Sequence, residues 1–236
     1  MKERFWEIDF ARGISIIFMV LFNYAFTLQY FHVYQVNGGW IFWWLFPRLI
    51  ASSFIIIAGI SITLSSSKRK KCEKHFLARG GKIFFIGMII TAVTWLLFPN
   101  EAIFFGILHL IGIGIIISAA FVRFRVLNLA AGAALIIAGA FTNSITASNS
   151  WLLWIGIAPE NFITFDYFPL LPWLGVMLVG LFVGNTLYKK GKRMFKIRNT
   201  ALSGKVCFLG RHSLLIYLLH QVLLVAVLYA IGYSIF

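Results

Sequence analysis

The chain has 236 residues, of which 61% are hydrophobic and 17% aromatic, while only 12% are charged. That is far more apolar surface than one soluble core of this size can bury, so a soluble domain is excluded and a membrane-embedded one is expected. The net charge of +14 sits in short basic loops between apolar runs, which suits anionic lipid head groups and excludes nucleic acid, whose recognition needs a soluble basic face.

Apolar stretches follow at 10–31, 40–66, 83–98, 102–122, 126–143, 168–188 and 206–233. Each is close to the roughly 20 residues that cross about 30 Å of hydrocarbon. They predict an all-α integral membrane protein, a single domain over 1–236 built as a polytopic bundle of about seven transmembrane helices. No internal repeat is visible, and the Ser- and Asn-rich 143–150 stretch is too short to link two domains.

Every Lys and Arg except Arg48 lies at the chain start, in loop 66–82, at 123–125 or between 189 and 211, whereas 98–102 and 143–167 hold none. Loops rich in Lys and Arg stay cytoplasmic, which places the N-terminus in the cytoplasm and the C-terminus outside, in a multi-pass protein of the plasma or inner membrane. No small-residue cleavage site follows the first run, so it reads as a span and not as a signal peptide. Cys72 and Cys207 both fall on the reducing side and no C-x-x-C occurs, so neither a disulfide nor a metal is expected.

Polar groups at depth carry the functional signal, because such side chains face a bundle interior or a cavity. In "GRHSLLIYLLHQ", Ser213, Tyr217, His220 and Gln221 recur at helical spacing and line one face. At 1.5 Å per residue, Asn23 lies about 17 Å beyond Arg12, and His109 lies about 18 Å above the inner boundary. His220, measured from Arg211 and Lys205, lies at about 14 to 22 Å. Ser15, Asn23, Thr27 and Tyr30 form a matching stripe on the first helix. Asn23, His109 and His220 are therefore expected in one cavity. Arg48, Asp166 and His32 form a second tier about 30 to 34 Å up, at the outer rim. The Gly180–Gly184 pair reads as helix packing.

"FWEIDFARGISIIFMVLFNY" at the start, "FGILHLIGIG", "FDYFPLLPWLGVMLVGLFVG" and "GRHSLLIYLLHQ" together resemble the transmembrane acyltransferases related to the heparan-α-glucosaminide N-acetyltransferase catalytic domain, in particular its small prokaryotic members. The resemblance runs over nearly the whole chain, and the Ser, Tyr and His face of the last helix also recurs in wider integral-membrane acyltransferases. It implies an enzyme that takes an acetyl group from cytoplasmic acetyl-CoA and delivers it to an amino or hydroxyl group, typically of a sugar, on the far side of the membrane. The family's first-helix Asn falls on Asn23 and its last-helix His on His220. The family's extracytoplasmic catalytic His follows the Asn-Tyr pair, where His32 is the candidate, and His109 stands beside it as an equal contender.

The residues suit that chemistry. Acyl transfer from a thioester needs a base for the acceptor's proton and donors for the developing oxyanion. A neutral imidazole serves the first near pH 7, and the amide of Asn23 or the hydroxyl of Tyr24 the second. Direct transfer and an acetyl-enzyme route both remain open. Arg12 and Arg211, with Ser213, Tyr217 and the basic loops 68–82 and 189–198, are the expected contacts of the CoA thioester. Tyr24, Arg48, Asp166 and Gln221 are those of the acceptor, a glycan or amino sugar. Membrane lipids are the other partners, and assembly of like chains is left open. The rival reading is a small-solute transporter or flippase using the same polar tier, although no inverted repeat supports it.

Overall fold

The computed structural model describes residues 5–67, 72–142, 144–188, 192–194 and 201–232. Lys2, Arg4 and parts of the basic loops, 68–71, 189–191 and 195–200, lie outside the described residues. About 76% of the structure is helix, with no strands among the described residues. Among the described residues, eight α-helices follow one another: α1 Trp6–Tyr30, α2 Phe46–Ser66, α3 Cys72–Leu97, α4 Ile107–Phe121, α5 Val126–Thr142, α6 Leu170–Leu187, α7 Ala201–Arg211 and α8 Ser213–Ala230. A π-helical turn, Ile41–Leu45, runs directly into α2.

Among the described residues, five helices are long and apolar enough to cross a membrane: Trp6–Tyr30, Ile41–Ser66, Glu73–Leu97, Leu170–Leu187 and Ser213–Ala230. The 102–122 and 126–143 runs yield the shorter apolar helices Ile107–Phe121 and Val126–Thr142. Loop 66–82 is largely helix. Lys74, Arg79 and Lys82 ride on the first turns of α3, since Lys and Arg are good helix formers whose long stems carry the charge to the interface. The 206–233 run is broken at His212, where α7 ends and α8 begins.

Two compact units emerge, Met1–Phe54 with Ile197–Phe236, and Ile55–Lys196. In the first, Ile16, Met19 and Ile50 form a buried cluster, against which Phe22, Phe46, Leu209, Ile216 and Tyr217 pack. The hydroxyls of Ser15 and Ser53 lie 2.7 Å apart and tie α1 to the start of α2. Where α1 crosses α7, a Cβ at Gly210 would run into the Asp9 carbonyl, and one at Gly13 into that of Val206. Glycine here lets two backbones touch.

In the second unit α3 packs on α4, and α6 on both α4 and α5. Gly180 and Gly184 do act in packing: a Cβ on either would overlap Ile56 or Thr63 of α2.

Candidate functional site

In the first unit, the polar stripes of α1 and α8 meet. Thr27, 1% exposed, donates its hydroxyl proton to the Asn23 carbonyl at 2.7 Å, one turn back on α1. The Gln221 amide nitrogen on α8 donates to that same Thr27 oxygen at 3.1 Å. Asn23 donates one amide hydrogen to the Met19 carbonyl at 2.9 Å and keeps a second.

His220 sits on α8 with Nδ1 2.6 Å from the Tyr217 carbonyl. A carbonyl can only accept, so the ring proton resides on Nδ1 and Nε2 presents a lone pair. That Nε2 is buried without a hydrogen-bond partner, as is Oε1 of Gln221. The Tyr217 ring packs near the imidazole, with centroids 5.8 Å apart. Ser213 opens α8 and is partly buried.

Arg12 and Arg211 meet at a carboxylate. Asp9 is 4% exposed, 3.4 Å from Nε of Arg211 and 4.0 Å from Nη1 of Arg12. Spacing alone contained a signal for Asp9, three residues before Arg12 and hence on its helix face, but the cluster of like charges obscured it. Three further candidates in this unit are exposed. The Tyr24 ring is 47% exposed. His32 follows the end of α1 at φ 54, a left-handed conformation, and is exposed. Arg48 donates to the Trp44 carbonyl at 2.9 Å and lies 4.1 Å over the Trp44 ring.

His109 and Asp166 belong to the second unit, where together they finish the start of α4. Asp166 accepts from the Ile107 N–H at 2.9 Å, and Nδ1 of His109 accepts from the Gly106 N–H at 3.2 Å. These are two of the orphan donors of a helix N-terminus. With Nδ1 accepting, Nε2 carries the proton toward Thr91, 3.3 Å away, whose hydroxyl donates to the Ile103 carbonyl at 2.6 Å. The ring packs between Phe84 and Phe105, and a Cβ at Gly87 would stand 3.1 Å from it. Both nitrogens of His109 are thus engaged, whereas only Nδ1 of His220 is. Nearby, Tyr167 donates to the Leu153 carbonyl at 2.7 Å, and burial pushes its phenol up to about 12. Among the described residues, no group of three or more His, Cys, Asp or Glu could hold a metal.

Apolar helices of spanning length with polar side chains turned inward define an all-helical membrane protein. The chain belongs to the heparan-alpha-glucosaminide N-acetyltransferase, catalytic, family, whose model matches residues 4–222. Membership implies an acetyltransferase. Neither a curated protein nor a solved structure matches the chain.

Proposed function

We propose that this protein is a membrane-embedded acyltransferase that moves an acetyl group from cytoplasmic acetyl-CoA to an amino or hydroxyl group of an extracytoplasmic, sugar-type acceptor. In this reading the chain is one domain of the plasma or inner membrane with its N-terminus inside. The two shorter helices, Ile107–Phe121 and Val126–Thr142, complete seven crossings. The observation that carries the proposal is the state of His220: Nδ1 protonated against Tyr217 and Nε2 buried with its lone pair unused.

A buried acceptor without a partner is costly, and such atoms gather at functional sites. His220 acts as the base. The acceptor's nucleophilic atom gives its proton to Nε2 and attacks the thioester carbonyl. A bond forms from that nitrogen or oxygen to the acetyl carbon, the carbon–sulfur bond breaks, and CoA leaves as a thiolate that takes the proton back from the His220 imidazolium, giving the thiol and the neutral base. The Tyr217 carbonyl stabilises the imidazolium through Nδ1–H. Asn23 supplies its second amide hydrogen to the oxyanion, and the i−4 bond to Met19 holds the amide in place. Arg12 and Arg211, arranged by Asp9, face the CoA phosphates. Asp166 and His109 finish the start of α4 in the second unit, with His109 keeping both of its bonds.

The test is transfer by the purified full chain in lipid nanodiscs, with acetyl-CoA, glucosamine as acceptor, and release of free CoA as readout. Acetylated product that disappears with His220→Ala is expected. Solute flux across vesicles without thioester cleavage would replace this reading with the transporter.

A further inference from the structure

The base leaves one buried atom of α8 unexplained, the amide oxygen of Gln221, which has no hydrogen-bond partner. Its orientation is dictated by Thr27. The Thr27 hydroxyl has a single proton and gives it to the Asn23 carbonyl, so toward α8 it can only accept. The end of the Gln221 side chain that faces it must be the NH₂ group, and Oε1 is turned away and fixed as an acceptor. Nε2 of His220 is likewise an acceptor. Neighbouring residues of a helix diverge by about 100°, so these two atoms address different atoms of whatever lies against α8.

We propose that Gln221, held by Thr27, is a specificity-determining residue of the acetyl-acceptor site. Its Oε1 accepts a hydrogen bond from a second donor on the acceptor, while His220 serves the nucleophilic group. The ligand class that satisfies both is a molecule with N–H or O–H donors on at least two separate atoms, an amino alcohol or a polyol, and not a simple monoamine. The inference rests on the acyltransferase reading above. Thr27 is a positioning residue: it touches no substrate and acts by fixing which end of the Gln221 amide is presented.

The test uses the full chain in nanodiscs and compares glucosamine with cyclohexylamine, a ring of similar size that has one donor-bearing atom. The wild type is expected to prefer glucosamine. In Gln221→Leu the ratio of kcat/KM for the two should fall about tenfold or more, chiefly through KM for glucosamine. Thr27→Val should lower it in part and Thr27→Ser should restore it, a pattern that loss of helix packing would not produce. Glucosamine binding without acetyl-CoA, followed by saturation-transfer NMR, separates the two layers. Binding that depends on Gln221 in a chain that transfers no acetyl group upholds the Gln221 contact with a two-donor ligand and defeats the acyltransferase. Transfer with an unmoved ratio does the reverse. If neither the ratio nor the binding responds to Gln221→Leu, Oε1 is satisfied by ordered water alone and the proposal falls.

Discussion

Arg211, at the last position of α7, holds the carboxylate of Asp9 on α1 at 3.4 Å, although half of its own side chain faces outward and Asp9 is sealed. Removing Asp9 takes away the carboxylate that both guanidinium groups approach. Asp9→Ala and Arg211→Ala are therefore each expected to lower the melting temperature and raise KM for acetyl-CoA. In the double variant the stability losses should be non-additive by on the order of 0.5 to 3 kcal/mol. Additive losses would show that the pair is uncoupled.

His220→Ala should reduce kcat by on the order of 10² to 10⁴ while acetyl-CoA still binds. A lost interhelical hydrogen bond, worth about 0.6 kcal/mol, would change rate only a few-fold at most, so the size of the effect decides between chemistry and glue. The measurement is single-turnover transfer in monodisperse protein.

Asn23→Asp is expected to be as damaging as Asn23→Ala. The carboxylate keeps the shape but loses both donors, and it would place negative charge against the Met19 carbonyl that the amide now binds. Turnover near wild type in Asn23→Asp would remove Asn23 from the oxyanion role.

His109→Ala and Asp166→Ala should act through folding. Each strips one acceptor from the first turn of α4, a loss of about 0.5 to 2 kcal/mol by analogy with helix caps. The expected signature is a lower melting temperature with kcat per folded molecule kept. A kcat collapse in thermally intact His109→Ala would return His109 to the chemistry.

Tyr167 gives a pH dependence of definite sign. Its folded phenol ionises near 12 instead of the ordinary 10, so the neutral form is the one the fold favours. The stabilisation is fully present below about pH 10 and is lost as pH rises through 12. Absorbance at 295 nm should show a late-titrating tyrosine that Tyr167→Phe removes.

Much of the first unit was legible in the residues themselves. The 3.6-residue recurrence of Ser213, Tyr217, His220 and Gln221 marks a buried face because polar groups in an apolar helix need partners, and Gln221 does find Thr27 on the opposing stripe. The break at His212 has a sequence signal, since Gly210, Arg211, His212 and Ser213 interrupt the apolar run, but a hydropathy window over 206–233 averages across it. Asp9 was hidden by its arginines, whose charge is equally explained by topology. Asp166 reaches the Ile107 N–H from 59 residues further along the chain, and no local pattern encodes that.

The short α4 carries a consequence for the surrounding lipid. Its 15 residues extend about 22 Å, and in the segment before it, from the fully buried Ala102 to Gly106, the Ala102 and Phe105 carbonyls accept from the Thr164 hydroxyl and the Phe168 N–H. Irregular backbone at membrane depth is stable only where protein covers it. At 18 residues each, α6 and α8 extend about 27 Å, just short of a typical hydrocarbon core of about 30 Å. Lengthening the acyl chains of a host membrane would have to be met by tilt or by local thinning, so chain length in the lipid becomes a mechanical load on these helices.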